Sequence, residues 1–430
     1  MSSSLVSEKL KFASSLGPIS ISGDKTLEID VRPFTVFVGP QGTGKSLVSQ
    51  LLYFLRDAPF LLSGLDMQGK TGNVAVRAIV NGLRAGSLTG RDIANFSQGK
   101  AVRVDYLSPE HKRSITINSA ARYPITAVGP FKKEIDALFD ELNKDRTSVR
   151  SINRRAIFIP AARVVYSMLG NESGSFWRID ALPLTFVEFQ RNLQKAQSIY
   201  LSWQKDPISQ PKEAIEIEQM VESVLGGRLR IEQRGPLAGH LQWQPTHTQS
   251  PIEIELASTG QMETWPFILT AQTLFALPPD QRPKYLHVEE PEAHLHPKAQ
   301  EALVQVLAYL VNKGVHVLIT THSLTILYAI NNLILAYQKL GREKDAHLKN
   351  RWFSNLNPGV RLDPYQVSAY LFLEAADAAP ELAPTSSVED LMYEADESLP
   401  NRPRLRQIDE GRLGEVIGNL QRQFNRLIDL

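Results

Sequence analysis

The most specific chemical signal in the sequence is the glycine-rich stretch GPQGTGKS at residues 39–46. Its spacing is typical of a phosphate-binding loop, in which glycines let successive backbone N–H groups point at one anion. Lys45 would reach the β- and γ-phosphates, and the Ser46 hydroxyl would join a magnesium shell. The stretch predicts a nucleoside triphosphate site formed by Gly39, Pro40, Gln41, Gly42, Thr43, Gly44, Lys45, Ser46 and Leu47.

A pair of acids follows an apolar run in the stretch YLHVEEPEAHLHP at residues 285–297. A strand that ends in two acids can deliver one carboxylate to a metal shell and the other to an attacking water. We assign Glu289 to the metal and Glu290 to the water. The alternative interpretation is a solvated acidic turn.

Two shorter motifs carry weaker signals. The stretch LASTGQ at 256–261 predicts a turn between a strand and a helix, whose hydroxyl and amide groups can bind a phosphate from outside. In ITTHS at 319–323, His322 follows a predicted strand at the sheet edge where ligands of open α/β sheets gather. A histidine in such a place is more often structural than catalytic.

Buried strands and helices must position these residues. Thr35 to Val38 is a β-branched, apolar run before the loop, and residues 46–52 follow it with helical spacing. Two more apolar runs, 284–289 and 315–320, flank a helical pattern from Lys298 to Asn312. Alternation of strand and helix predicts a parallel sheet covered by helices.

The remaining patterns predict further elements. We expect a hairpin within 18–38, an antiparallel pair within 101–118, and a strand at 251–256 that returns to the sheet. Apolar spacing predicts helices at 184–203 and 212–225, with Gly226 and Gly227 at the end of the second. Short strands are expected at 228–232 and 240–244. Residues 376–400 are expected to form a mobile loop before a last helix at 412–429.

Composition narrows the class of protein. The chain has 430 residues, 43% of them hydrophobic, which suffices for a sizeable core. With 47 basic and 46 acidic residues, no overall basic field indicates a nucleic-acid or membrane partner. Cysteine is absent, which excludes disulfides and thiolate chemistry. Without a long apolar run or a signal-like N-terminus, a cytoplasmic protein is expected.

In chain order, GPQGTGKS, ASTGQ, HVEEPEAHLHP and TTHS resemble the Walker A, signature, Walker B with D-loop and switch-histidine motifs of ABC-type ATPases. The run EEPEAHLHP is similar to soluble ATPases of the OLD and SMC-like groups. The resemblance covers about residues 10–335. It implies an α/β fold: a P-loop NTPase, ABC-type ATPase head with an antiparallel β subdomain and a helical lobe.

The resemblance also implies a role for each matching residue. Lys45 and Ser46 hold phosphate and Mg²⁺, Glu289 supports the metal, and Glu290 activates water with help from His322. The signature residues would reach the partner's γ-phosphate across a head-to-tail dimer; they are Ser258, Thr259, Gly260 and Gln261. Three positions depart from the family pattern, namely Glu289 for Asp, Thr259 for Gly and His296 for the D-loop Asp.

One further motif is similar to the family. Phe158-Ile-Pro-Ala-Ala-Arg163 resembles a strand followed by Pro-Ala-x-Arg, which makes Arg163 either a site residue or a cap at the lobe boundary. Residues 1–340 are expected to form the head, with a helical lobe at about 184–225. Residues 341–430 are expected to complete the head or bind a partner.

The resemblance implies an ATPase that uses ATP and Mg²⁺, forms a homodimer or higher homo-oligomer, and acts with a separately encoded nuclease or toxin in anti-phage defence. The alternative is a DNA-repair or chromosome-associated ATPase that clamps nucleic acid, for which Arg150, Arg154 and Arg155 form the tightest basic cluster. A non-hydrolysing scaffold is disfavoured by Glu290. Arg342 and His347 match an R-x4-H ribonuclease spacing, which we interpret as a solvated polar run.

Overall fold

A computed structural model describes residues 8–23, 25–64, 72–83, 93–144, 152–165, 182–233, 239–248, 250–340, 357–373, 387–395 and 405–409. The expected helix at 412–429 and the Arg342/His347 pair lie outside the described residues. Among the helices in these ranges, none combines the length and apolar character needed to cross a membrane.

The secondary structure alternates between strands and helices along the chain. The strands are β1 (Glu8–Phe12), β2 (Leu27–Val31), β3 (Phe34–Val38), β4 (Val102–Leu107), β5 (Lys112–Ile117), β6 (Ile125–Val128), β7 (Ala156–Ile159), β8 (Gly227–Gln233), β9 (Gly239–Pro245), β10 (Ile252–Glu253), β11 (Tyr285–Glu289), β12 (His316–Thr321), β13 (Val367–Phe372), β14 (Val388–Asp390), β15 (Met392–Ala395) and β16 (Leu405–Ile408). The helices are α1 (Lys45–Ser63), α2 (Gly72–Gly82), α3 (Pro130–Lys144), α4 (Leu184–Lys205), α5 (Lys212–Leu225), α6 (Thr259–Thr273), α7 (Pro297–Asn312) and α8 (Leu324–Leu340).

A six-stranded sheet lies at the centre, in the order β14-β13-β3-β12-β11-β7. The five strands from β13 to β7 run parallel, and β14 pairs antiparallel at the edge. The predicted parallel sheet with α7 between β11 and β12 is confirmed. Since β13 comes from beyond residue 340, the C-terminal part of the chain contributes a strand beside the P-loop strand.

The two faces of the central sheet pack against different layers. In β3, Phe34, Val36 and Val38 join the core with α4 to α8, whereas Phe37 joins the core with α1 and a second sheet. Alternation along a strand sends successive side chains to opposite faces, so covering both faces buries all five residues of β3.

The second sheet is antiparallel, with the order β2-β1-β4-β5-β6. The predicted pair within 101–118 is confirmed as β4 and β5. The hairpin expected within 18–38 is wrong, because β2 pairs with β1 and β3 joins the central sheet. The alternating pattern of residues 27–38 spans two strands of different sheets.

The predicted helical lobe is confirmed as α4 and α5. Gly226 ends α5 in the left-handed region, at φ 69°, where a residue without a side chain is favoured. Strands β8 and β9 follow as expected and pair with β10 in a separate antiparallel sheet.

Two expected elements differ from the structure. In the predicted strand 251–256, only Ile252–Glu253 is a strand, and it pairs with β9 rather than with the central sheet. Ile254–Leu256 form a 3₁₀ turn, with Leu256 74% exposed. Residues 376–400 are not one mobile loop, since β14 and β15 lie within them. Their antiparallel pairing with β13 and β16, which precede and follow them in the chain, supplies the backbone hydrogen bonds.

Candidate functional site

The P-loop, residues 39–46, joins the end of β3 to the start of α1. Gly39, Gly42 and Gly44 have φ angles of 142°, 86° and 101°, a region that residues with side chains rarely enter. The first turn of α1 lacks a side-chain cap, which leaves its N–H groups directed at the loop's concave side. The loop thus has the backbone form that binds phosphate.

Lys45 lies at the mouth of this loop and is 6% exposed. Its ammonium donates to the carbonyl oxygens of Gly39 at 2.6 Å and Pro40 at 2.5 Å. Burial lowers the pKa of Lys45, and the carboxylates of Glu290 and Glu292 act in the opposite direction. The two acids are therefore close enough for their charge to act on the lysine.

Distant segments of the chain hold the P-loop in place. A Cβ atom on Gly39 would lie 2.1 Å from the carbonyl oxygen of Phe372 at the end of β13, so no larger residue fits. A Cβ atom on Gly44 would meet Pro18 and Ile19 at 3.1 Å. Gly39 is thus required by close backbone approach as well as by its φ angle, and Gly44 by its φ angle and by the tight contact with two side chains.

Glu289 ends β11 and is 7% exposed. Its carboxylate accepts hydrogen bonds from the side chain of Gln50 at 3.3 Å and from the backbone N–H of Ala161 at 3.4 Å. Gln50 lies one helical turn after Ser46, so both side chains share a face of α1. The structure thereby brings the carboxylate of Glu289 to the helix that carries Ser46.

Glu290 occupies a strained position immediately after β11. Its φ is 44°, which is uncommon for a residue with a side chain, and its N–H donates to the Thr320 carbonyl at 2.8 Å. Its side chain is 33% exposed, and one carboxylate oxygen lies 4.0 Å from Nδ1 of His322. The predicted water-activating acid and the predicted histidine are thus adjacent and open to solvent.

A third acid, Glu292, lies beneath this pair and is 5% exposed. One of its oxygens accepts from the Thr321 hydroxyl at 2.5 Å and from the backbone N–H of His322 at 2.9 Å. The same oxygen is 3.6 Å from Nδ1 of His322. Glu292 therefore holds His322 by its backbone and faces its ring.

Arg163 is 1% exposed and binds the backbone of residues 289–292, which we call the acidic segment. Its guanidinium donates to the carbonyls of Glu289 at 2.9 Å and Glu290 at 3.0 Å, with a longer bond to Pro291 at 3.3 Å. It also donates to the carbonyl of Glu263 in α6 at 2.8 Å. Burial lowers the pKa of Arg163, and the surrounding carboxylates, Glu263 foremost, oppose that shift. Arg163 thus fixes the backbone that carries Glu289 and Glu290.

The signature turn, Ser258–Gln261, begins α6 with a capping box. The Ser258 N–H donates to Gln261 Oε1 at 3.0 Å, and the Gln261 N–H donates to Ser258 Oγ at 3.3 Å. Gln261 also donates to the Leu225 carbonyl at the end of α5, at 2.7 Å. Ser258 and Thr259 are exposed, so the start of α6 faces solvent.

His294 and His296 follow the acids and lie beside the starts of α6 and α7. A Cβ on Gly260 would meet the carbonyl oxygen of His294 at 3.0 Å, which places the signature turn against the segment that follows Glu290. His296 is exposed and caps α7, its Nδ1 accepting from the N–H of Lys298 at 3.3 Å. This contact of His296 is thus structural.

A buried polar chain connects α1 with β11 behind the acids. His287 accepts from Arg56 at Nε2 (3.1 Å), so its Nδ1 carries the proton and donates to Ser49 Oγ (3.2 Å). Burial first, then Arg56, lowers the pKa of His287 well below its usual value. Arg56 also pairs with Glu8 at 2.7 Å. The neutral histidine ties α1, which follows the P-loop, to β11.

The oxygen donors near the loop fit a magnesium ion. Ser46 and Glu289 are hard oxygen ligands, and Mg²⁺ usually takes one or two such groups together with phosphate oxygens and water. Gln50 Oε1, Thr320 Oγ1 and Glu292 Oε2 are buried without a hydrogen-bond partner among the described residues. No cluster of three His, Cys, Asp or Glu residues in the described ranges would hold a metal without such a substrate.

Two residues of the site were not predicted from the sequence. Gln50 follows Ser46 by four residues, a spacing that would have placed it on the same face of α1. Glu292 is the third acid of the run EEPE, but only the fold brings it under His322.

The comparison with protein families matches an ATPase domain. A family model described as an AAA ATPase domain matches residues 132–327, a range that includes Arg163, the signature turn, the acids and His322 but begins after the P-loop. None of the curated proteins compared matches the chain.

Three similar solved structures are heads of SMC proteins. An SMC head bound to the C-terminal winged-helix domain of ScpA is 14% identical, with a TM-score of 0.39, over 75% of this chain and 92% of the other. The SMC head of Thermotoga maritima is 11% identical, with a TM-score of 0.36, over 75% and 92%. The Pyrococcus furiosus SMC head with extended coiled coil, bound to a ScpA domain, is 13% identical, with a TM-score of 0.41, over 75% and 91%.

The fold, the P-loop and the matching family model together define the class of protein. The chain has a P-loop ATPase domain in a mixed α/β fold, with an antiparallel β subdomain and a helical lobe.

Proposed function

We propose that this chain hydrolyses ATP between two copies of itself and passes the ATP-bound state to a separately encoded effector. The observation that carries the proposal is the cluster at the ends of β11 and β12. There Glu290 is open to solvent beside His322, and the charges of Glu290 and Glu292 act on the P-loop lysine. This is the arrangement needed to orient a water at a terminal phosphate.

In this proposal, the chain's own residues have separate roles in the reaction. The P-loop amides and Lys45 bind the phosphates, while Ser46 and Glu289 would hold Mg²⁺, which neutralises phosphate charge when bound. Glu290 accepts the proton of the attacking water, and His322 contacts the γ-phosphate side. Arg163 keeps the backbone of Glu290 in position, and Glu292 keeps His322 in position.

The signature turn supports completion of the site by a second copy. Ser258 and Thr259 are exposed at the start of a fifteen-residue helix, whose free N–H groups and dipole favour an anion. The hydrogen bonds of Ser258 and Gln261 run within the turn and to Leu225, and none reaches the P-loop of the same chain. A head-to-tail dimer would direct this turn at the partner's nucleotide.

The first prediction tests hydrolysis and assembly together. Glu290→Gln should keep ATP binding and slow hydrolysis by about 10² to 10⁴, because the positioned base is lost. With ATP, this variant should accumulate as a dimer, measured by light scattering. Adding Thr259→Arg should block the dimer, since it places a cation at the turn while leaving the capping box of Ser258 and Gln261 intact.

Ser209→Arg is the matched control, because Ser209 is exposed in the turn at the opposite end of α5 from Leu225. It should leave the ATP-driven mass unchanged. Unaltered turnover in Glu290→Gln would refute the assignment of the base. Equal mass with and without Thr259→Arg would mean that the signature turn is only a helix start.

The second prediction concerns the effector. Purified protein should hydrolyse ATP but cut neither DNA nor RNA, and pull-downs from the native host should recover a nuclease or toxin whose binding depends on ATP. Anti-phage defence is the setting in which we place this pair. Cleavage by the lone chain, lost in His347→Ala protein, would contradict the proposal.

The alternative of a nucleic-acid clamp has less support from the charges. Of its candidate basic cluster, Arg154 pairs with Glu188 and Arg155 pairs with Glu110. Arg150 lies outside the described residues. Arg154 and Arg155 thus both form ion pairs with carboxylates of the same chain.

A further inference from the structure

A cleft at the other end of α1 from the P-loop opens between the end of α1 and the first half of α4. It encloses about 450 Å³. Its wall includes an aromatic ring, hydroxyls and several charged groups: Phe60, Ser63, Arg154, Glu188, Arg191 and Lys195. Since α1 begins with Lys45 and ends at this cleft, one helix connects the two places.

Positive charge exceeds negative charge among the residues of this wall. Glu188 is the one carboxylate, and both Arg154 and Arg191 pair with it. Lys195 has no ion pair within the described part of the chain. Arg191 and Lys195 are four residues apart, so they are neighbours on one face of α4, where like charges repel each other. An anion between them would relieve that repulsion.

A buried donor strengthens this interpretation. The side chain of Arg154 is 14% exposed, stacks on the Phe60 ring at 4.6 Å, and its Nε has no hydrogen-bond partner among the described residues. An unpaired buried donor costs free energy that a hydrogen-bond acceptor recovers.

The opposite wall has different chemistry. Ser63 and Gly64 lie at the C-terminal end of α1, where backbone carbonyls carry partial negative charge. Carbonyls there accept hydrogen bonds from hydroxyl groups and disfavour an anion. A ligand that spans the cleft therefore needs a negative group at the α4 side and hydroxyl donors at the α1 side.

We propose that this cleft binds a small sugar phosphate or nucleoside monophosphate, with its phosphate between Arg191 and Lys195 and its sugar hydroxyls toward the end of α1. The cleft volume is within the range of small-molecule sites. The site is separate from the P-loop and does not depend on ATP hydrolysis.

Isothermal titration with ribose 5-phosphate, AMP, inorganic phosphate and adenosine tests the proposal. Ribose 5-phosphate and AMP should bind the full chain, while adenosine should not. Arg191→Glu combined with Lys195→Glu should weaken binding at least about tenfold, because two charge-assisted contacts become repulsive. Lys195→Ala alone should weaken it less.

Lys212→Glu is the matched control, since Lys212 is a highly exposed lysine of the same lobe. It should leave the affinity unchanged. ATP affinity should be the same in all variants, which separates this site from the P-loop. The proposal is overturned if neither sugar phosphate binds at millimolar concentration, if the double variant binds as well as wild type, or if inorganic phosphate binds as tightly as ribose 5-phosphate. Binding of short single-stranded DNA alone, lost in the double variant, would overturn it in favour of nucleic acid.

Discussion

Single residues in this protein act through contacts with the backbone of the acidic segment. Arg163 binds three successive carbonyls that begin with the last residue of β11, and Glu292 accepts a hydrogen bond from the N–H of His322. Under the proposed function, such residues need not touch a substrate to matter, because catalytic groups require a geometry accurate to a fraction of an ångström.

The third prediction belongs to this scale and concerns Glu292. Glu292→Ala should lower kcat by up to about 10²-fold with nucleotide affinity little changed, because His322 loses the carboxylate that holds it. Steady-state kinetics and nucleotide titration measure the two quantities. Glu301→Ala removes an exposed glutamate of α7 and should have wild-type kcat. An unchanged kcat in Glu292→Ala would show that His322 is held by other contacts.

Among the elements, α1 connects the P-loop to the rest of the fold and is kinked on the way. Pro59 cannot donate to the carbonyl of Leu55, and Arg113 donates to that carbonyl instead at 2.6 Å. Asp57, non-helical at the kink, accepts from the N–H groups of Arg155 at 2.8 Å and Ala156 at 3.3 Å. The kink thus joins α1 to the start of β7.

The fourth prediction follows from the burial of Asp57. Burial raises the pKa of its carboxyl from 3.8 to about 7, while the N–H of Arg155 opposes the shift. The folded state therefore holds this proton more tightly than the unfolded state. Its contribution to the free energy of unfolding is present below about pH 4 and is lost as the pH rises to about 7, by at most about 1.4 kcal/mol per pH unit.

Asp57→Asn removes this titration and should become more stable relative to wild type as the pH rises from 4 to 7. Urea unfolding at several pH values measures the difference. Asp140→Asn, an exposed position in α3, should follow the wild-type pH dependence. If Asp57→Asn and wild type have parallel pH curves, the carboxyl of Asp57 is already ionised at pH 4.

At the scale of the whole molecule, segments distant in sequence lie against the P-loop. β13 pairs with β3, and its last carbonyl lies against Gly39. Ser387 donates through its N–H to the Ser20 carbonyl at 2.8 Å, which ties the C-terminal part of the chain to the loop covering Gly44. The head and the extension expected beyond residue 340 thus share one sheet.

The fifth prediction is that a chain ending at residue 340 will not bind ATP. Its P-loop strand would become a sheet edge, with the buried face of Val36 and the backbone groups of β3 exposed to water. Circular dichroism and nucleotide titration measure the loss. A truncated protein that melts cooperatively and binds ATP as the full chain does would contradict this.

The sequence alone was sufficient to predict the P-loop, its flanking strand and helix, the parallel strands β11 and β12, and the lobe helices. Each of these depends on a short run of residues: glycine spacing sets the loop conformation, and apolar periodicity sets strand or helix. The exception, residues 251–256, alternates like a strand, but half of it forms a 3₁₀ turn because the chain must enter α6.

Only the tertiary structure decided what surrounds those motifs. The carbonyl of Phe372 lies against Gly39 across more than three hundred residues of sequence, and Arg163 reaches acids that follow it by more than a hundred. The local pattern of residues also did not predict that β2 and β3 pair with strands of two different sheets. Such contacts depend on which buried surfaces meet when the layers pack, and no local periodicity encodes that meeting.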